Sequence, residues 1–411
     1  MSEGAADRAA TGIGGLDEVL CGGLVRDRLY LVEGTPGAGK TTLAMQFLLE
    51  GARRGEKGLY LTLAETESEL HAFAASHRWR LPPEVEIHEL LSPDSLLDEG
   101  QQQSLLYSSD LELGETMQRM FAAVERSRPR RIVLDSVSEI RLLAQHSLRY
   151  RRQVLALKHY FARHGVTVML LDDMTAEAAD RTVHSIAHAV VRLEELTPGY
   201  GAERRRLRVV KYRASTYRGG FHDFRITAGG LTVFPRLRSA EHRAAVERRP
   251  LATGLDAFDA LLGGGIDRGT STLLLGPAGT GKSTLALLFV TAAVARGETA
   301  ALFAFDEEIG LLVERSRGLG FDLQAMIEGG KLFIEQIDAT ELSPGEFTHR
   351  VRAVIDNHAA STVVVDSLNG YQESMPEEQF LVLHMHELLQ YLNRRGTTTF
   401  LTVAQHGLSA T

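Results

Sequence analysis

Apolar residues along this chain fall into two kinds of run that alternate. The first kind is short and nearly unbroken: LYLVE at 29–33, GLYLTLAE at 58–65, RRIVLDS at 130–136 and GVTVMLLDD at 165–173. The second is longer and mixes apolar with charged positions at helical spacing, over about 41–54, 67–78, 113–126 and 148–163. A continuous apolar strand has no solvent-facing side, so the alternation predicts a mostly parallel sheet with helices on both faces, an α/β fold. From 189 to 235 the runs become AVVRLEEL, RRRLRVVKYR and FHDFRITAGGLTVFP, shorter strands with turn signals between them. These predict antiparallel additions at the sheet edge.

The pattern then starts again. TGIGGLDEVLCGGL at 11–24 aligns with TGLDAFDALLGGGI at 253–266, an offset of 242 that holds without a gap to Glu65 and Glu307. STLLLG, TAALFAFDEE, STVVVDSLN and GTTTFLTVAQ repeat the four strands. Asp135 and Asp366 stand at an offset of 231, so the second copy lacks eleven residues, and the polar stretch 90–110 is the expected surplus of the first. The expected organisation is a first domain at 1–237, a charged, proline-terminated linker at 238–250 and a second domain at 251–411. At an offset of 231, Thr411 corresponds to Asp180. The second domain is therefore expected to be incomplete at its C-terminal edge strands, with an unpaired edge open to partner pairing.

Each copy carries a phosphate-binding pattern, G-x-x-x-x-G-K-[ST], between its first strand and first helix. In the first copy it is Gly34, Thr35, Pro36, Gly37, Ala38, Gly39, Lys40 and Thr41, followed by Thr42; in the second, Gly276, Pro277, Ala278, Gly279, Thr280, Gly281, Lys282 and Ser283, followed by Thr284. Glycines let successive backbone N–H groups face a phosphate at the positive end of a helix. Lys40 and Lys282 would reach the β- and γ-phosphates of ATP, and Thr41 and Ser283 would bind Mg2+. Asp135 and Asp366 each end an apolar strand and precede serine, which suits a carboxylate holding Mg2+ through water. The second strand ends in Ala64-Glu65 in one copy and Asp306-Glu307 in the other. Such carboxylates could polarise an attacking water, or could simply be exposed acids at strand ends.

Bulk properties narrow the classes. Hydrophobic residues are 44% and charged residues 24% of the 411, with a net charge of −8. That balance gives no general electrostatic reason to bind nucleic acid or an anionic membrane. The single cysteine, Cys21, cannot form an intramolecular disulfide and suits a reducing compartment; beside Gly22-Gly23 it reads as a small filler. MSEGAADRAATG has no apolar core of a signal peptide, and no run approaches a membrane span. A cytoplasmic protein is expected.

The tandem arrangement, both TG openings, both phosphate loops, the strand-end acids and VVKYRASTYRGGFHDFRIT at 209–227 followed by GGLTVFP resemble the KaiC family within the RecA-like ATPases. The resemblance covers 11–235 and 253–408. It implies two tandem RecA-like domains, homo-oligomeric rings of six with nucleotide between neighbours, and a possible signalling partner. It also implies that Lys211 and Arg213 reach the γ-phosphate held by the next subunit's first domain, stabilising the charge that develops in transfer. Without the family, RRRLRVVKYR reads as a basic solvated strand. The family usually has two adjacent glutamates where this chain has Ala64-Glu65, so hydrolysis in domain one rests on Glu65 or is slow. Domain two keeps Asp306 and Glu307 but has no lysine–arginine pair of its own. The autophosphorylated pair of clock members lies beyond the strand matching 396–403, which disfavours autokinase activity here. A DNA-handling RecA relative and a non-hydrolysing nucleotide sensor are the competing expectations.

Overall fold

The computed structural model describes residues 7–90, 108–174, 182–197, 201–238, 249–373 and 378–405. Most of the expected linker and of the expected surplus at 90–110 lies outside them. The chain separates into two compact units, one of Met1–Thr197 with Glu203–Arg236 and one of Pro198–Ala202 with Leu237–Thr411.

The first unit is built on nine strands. They are β1 (Leu29–Glu33), β2 (Gly58–Thr62), β3 (Val85–Glu89), β4 (Arg131–Asp135), β5 (Thr167–Asp172), β6 (Ala189–Leu196), β7 (Arg204–Tyr212), β8 (His222–Thr227) and β9 (Gly230–Phe234). Their order in the sheet is β9-β8-β7-β6-β1-β5-β4-β2-β3. Strands β3, β2, β4, β5, β1 and β6 run parallel, and β7, β8 and β9 follow antiparallel. The helices are α1 (Gly14–Val19), α2 (Lys40–Arg53), α3 (Glu67–Ser76), α4 (Ser108–Ser127), α5 (Val137–Ala144), α6 (Ser147–Arg163) and α7 (Thr182–Ile186). Successive residues of each central strand point to opposite faces, and both faces are buried. Tyr30, Val32, Tyr60, Val133 and Met169 join α2 on one face. Leu31, Leu61, Ile132, Leu134 and Leu170 join α4, α5 and α6 on the other.

Strand β6 departs from expectation: it lies parallel to β1, and only the strands after it are antiparallel. The reason is the crossover helix α7, which carries the chain back across the sheet before β6 begins. Strand β3 and helix α5 were not foreseen, since VEIHE alternates without a strong apolar run and α5 follows its strand almost directly.

The second unit has β10 (Ser271–Gly276), β11 (Ala300–Ala304), β12 (Leu332–Gln336), β13 (Thr362–Asp366) and β14 (Thr398–Ala404), with helices α8 (Asp256–Leu261), α9 (Lys282–Ala295), α10 (Ile309–Gly318), α11 (Leu323–Glu328), α12 (Pro344–His358), α13 (Leu368–Glu373) and α14 (Glu378–Arg394). The sheet order is β10-β14-β13-β11-β12, all parallel. Strand pairing refines the repeat. The offset is 242 at Gly58/Ala300, rises to 247 at Val85/Leu332 and falls to 231 at Arg131/Thr362. The second copy thus gains five residues, room for α11, before it loses sixteen; the single deletion of eleven is the net of the two. Among the described residues β10 is an edge strand, with Leu273 and Leu275 more than half exposed. Its counterpart β1 is covered by β6.

Candidate functional site

Both phosphate loops stand where the sequence puts them, between a parallel strand and a helix whose first residue is the loop lysine. Gly39 and Gly281 precede those helices with φ of 96° and 87°, a left-handed turn that glycine adopts without a Cβ clash. Beyond that shared turn the two sites differ.

In the first, Gly34, Ala38, Lys40 and Thr42 are buried. Strands β6 and β8 provide the cover: a Cβ on Gly34 would meet the Leu193 carbonyl at 2.8 Å, and one on Gly39 would meet Ile226 Cδ1 at 2.5 Å. Lys40 Nζ donates to the carbonyls of Gly34 (2.9 Å) and Thr35 (3.0 Å) and pairs with Asp173 Oδ1 at 2.9 Å. Asp135, at the end of β4, accepts a hydrogen bond from the Tyr60 hydroxyl at 2.5 Å. Tyr60 is buried in β2 with the Thr41 side chain close by. A tyrosine that was not foreseen thus neighbours both residues expected to hold Mg2+, Thr41 and Asp135. Burial, with the charge of Asp173, holds the Asp135 carboxyl above its ordinary range even though Tyr60 and Lys40 pull it down. Burial likewise pushes Glu65 up, with Asp135, Glu69 and Asp173 adding to it. No hydrogen bond or ion pair to the Glu65 carboxylate is present among the described residues. Burial and mutual repulsion of Asp135, Glu65 and Asp173 favour positive charge among them, which Lys40 supplies through its pair with Asp173.

The second site is more open, with Ala278, Gly279, Thr280 and Gly281 exposed. Lys282 Nζ donates to the Pro277 carbonyl at 2.8 Å. Asp366 accepts from the Thr402 hydroxyl, and Asp306 Oδ2 accepts from Ser367 Oγ at 2.5 Å. Glu307 is gripped by Arg315 through two hydrogen bonds, at 2.9 and 2.7 Å. Leu302 stands where the first copy has Tyr60, so Ser283 and Asp366 lack that tyrosine.

Lys211 and Arg213 lie apart from the first loop. Lys211 pairs in register with Val190, which pairs with Leu31, three residues and roughly 10 Å along the strand from Gly34. Its ammonium donates to the His184 carbonyl, and Arg213 Nη2 donates to the Ser185 carbonyl at 2.5 Å. Both cations therefore sit at the C-terminal end of α7, the negative end of a helix. Burial and the nearby charges of Arg213 and Lys158 push the Lys211 ammonium below its ordinary pKa, as expected where cations crowd. His184 also closes a network at the foot of the loop: its Nε2 is 2.5 Å from Glu33 Oε2, and Arg192 Nε donates to Glu33 Oε1 at 2.7 Å. Burial works against the Glu33 carboxylate, but these two partners outweigh it and hold its pKa below the usual range. Glu33 is a buried acid in an apolar strand, the one sequence signal that could have exposed this network.

No helix of the described residues is long and apolar enough to cross a membrane. The family described as "ATPase: KaiC" matches residues 9–238 and again 251–410. The chain is 28% identical over 403 residues to the circadian clock protein KaiC2 of Synechocystis sp. (strain ATCC 27184 / PCC 6803 / Kazusa), covering 96% of this chain and 69% of that protein. It is 28% identical over 378 residues to the circadian clock oscillator protein KaiC of Parathermosynechococcus lividus, covering 90% of this chain and 68% of that protein. The family match spans both α/β units, and the chain belongs to the KaiC ATPase family.

Proposed function

We propose that the chain is a cytoplasmic ATPase that binds ATP with Mg2+ at both loops, hydrolyses it slowly, and uses its nucleotide state to assemble as a homo-oligomeric ring, six-membered by family resemblance, and to regulate a signalling partner. The observation that carries this reading is the split of the first site's charges. Lys40, Thr41, Asp135 and Glu65 gather at one loop, while Lys211 and Arg213 are anchored on the α7 carbonyls and not on the loop. Cations so held suit a triphosphate on a neighbouring copy. Thr41 and Asp135 in the first site, and Ser283 and Asp366 in the second, would hold Mg2+, which offsets phosphate charge. Glu65 would take a proton from the attacking water. In the second site Asp306 and Glu307 are the corresponding acids, and the grip of Arg315 on Glu307 favours slower turnover there, closer to nucleotide sensing.

The test is light scattering and ATP turnover with ATP and Mg2+, for the intact chain and for Lys211→Ala with Arg213→Ala. The intact chain should form large assemblies, and the double variant should bind nucleotide normally but lose at least about tenfold in turnover. A chain that stays monomeric, or a double variant with full turnover, would overturn the reading.

A further inference from the structure

The two copies place their acidic groups differently around the loop lysine. At the end of the second strand the second copy has Asp306 and the first has Ala64. At the end of the strand beside the loop the situation reverses. Glu33 pairs with Asp172 and Leu275 with Val403, so the next residues, Asp173 and Ala404, are structural equivalents. Each site therefore has one carboxylate beyond its shared pair, Asp135 with Glu65 or Asp366 with Glu307, and the two sites take it from different strands.

Asp173 is held in place. Asp172 beside it is buried and bound by Ser138 Oγ at 2.9 Å and Arg141 Nη2 at 2.6 Å, and the Asp173 N–H donates to Ser138 Oγ at 3.3 Å. Its carboxylate meets Lys40 Nζ at 2.9 Å and lies near enough to Glu65 and Asp135 for its charge to bear on both. A triphosphate gripped by Lys40 must take that ammonium from Asp173, which leaves the carboxylate beside the terminal phosphate.

We propose that Asp173 is the relocated second acid of the first site. Without triphosphate it holds Lys40; with triphosphate it is displaced and accepts a hydrogen bond from the attacking water, orienting it. The water oxygen then bonds to the γ-phosphorus, and the bond from that phosphorus to the bridging oxygen breaks with its electron pair leaving on ADP. The water's proton passes to Glu65 and on to solvent. This rests on the proposed ATPase activity of the first site.

The experiment uses the full chain carrying Lys282→Ala, so that only the first site is read, with fluorescent ATP and ADP analogues for affinity and phosphate release for turnover. Asp173→Asn should tighten the ATP analogue roughly fivefold, by removing the competing carboxylate, and the ADP analogue by less, since Lys40 meets only its β-phosphate. Retained ADP binding also shows that the variant folds. Turnover should fall at least about tenfold, and Ala64→Asp added to Asp173→Asn should restore most of it, because the missing acid returns on the other strand. An unchanged ATP-to-ADP affinity ratio overturns the proposal, as does full turnover in Asp173→Asn or failure of Ala64→Asp to restore it. If the Lys282→Ala parent turns over no faster than a Lys40→Ala, Lys282→Ala double variant, the hydrolysis reading falls instead. The affinity ratio then decides alone whether Asp173 competes for Lys40.

Discussion

Replacing Glu56 by glutamine should cost the first unit about 3 kcal/mol, because it strands a buried cation. The Arg131 side chain is fully buried, and Glu56 is only 15% exposed. Arg131 Nε donates to Glu56 Oε2 at 2.5 Å, and the other carboxylate oxygen meets Arg26 Nη2 at 2.5 Å. The guanidinium also lies 4.7 Å from the centre of the Phe47 ring and donates to the Ala10 and Phe47 carbonyls, each at 2.7 Å. Space for it comes from Gly51, where a Cβ would come within 2.5 Å of Arg131 Cδ. Removing one partner of a buried ion pair typically costs 3–5 kcal/mol, and the two remaining carbonyl acceptors and the partial exposure of Glu56 place this case at about the low end. Trp79 is the only tryptophan in the sequence and packs on the first unit's core, so its fluorescence reports that unit in a urea titration. With an m-value of about 3 kcal/mol/M, the midpoint should move down by about 1 M. The pH dependence has a definite sign. Burial raises the Glu56 pKa, but Arg26 and Arg131 outweigh it, so the folded pKa lies below the ordinary value. The stabilisation is present above the unfolded pKa of about 4.3 and is lost as pH falls through the folded value, so the difference between Glu56→Gln and wild type should shrink below about pH 4. A midpoint shift under about 0.3 M at pH 7, or one undiminished at about pH 3.5, would refute the reasoning.

Two further outcomes follow from geometry in the separate units. Gly39→Ala combines a φ of 96° with a Cβ 2.5 Å from Ile226 Cδ1, so the first loop should lose at least about tenfold in nucleotide affinity while the second is untouched; calorimetric titration showing two unimpaired sites would contradict this. In the second unit, burial pushes His384 down to about 4, with its ring between the Tyr371 hydroxyl at 2.5 Å and the Thr348 hydroxyl at 3.0 Å. A depressed histidine stabilises the fold in its neutral form, so up to roughly 3 kcal/mol is present above about pH 6.5 and is lost as pH falls toward 4. Circular-dichroism melts should show the transition that Trp79 does not report weakening over that range, and His384→Phe should flatten the dependence; equal pH profiles would contradict it.

Much of this was legible because the chain is written twice. Continuous apolar strands, the glycine-rich turns and the strand-end aspartates depend on local residue types, and the repeat confirmed their register. Other features depended on long-range geometry. The direction of β6 is set by the crossover through α7, not by the alternation of AVVRLEEL. Tyr60 hides its hydroxyl in an apolar run, so only the fold reveals its bond to Asp135. Asp173 was visible as the last letter of GVTVMLLDD, but its meaning required knowing that Ala404 is its counterpart, which the strand pairing supplies.

The anchoring of Lys211 and Arg213 on α7 has a consequence for symmetry. A copy whose loop receives cations on one flank and whose own cations are offered on another has two unlike contact surfaces. A twofold pair would serve both loops reciprocally and stop at two copies. The ring proposed above instead requires head-to-tail association, a polar arrangement that closes on itself where the rotation allows and otherwise extends as a filament. Mixing subunits disabled in the loop with subunits disabled in the cations would then restore activity only at junctions of one orientation.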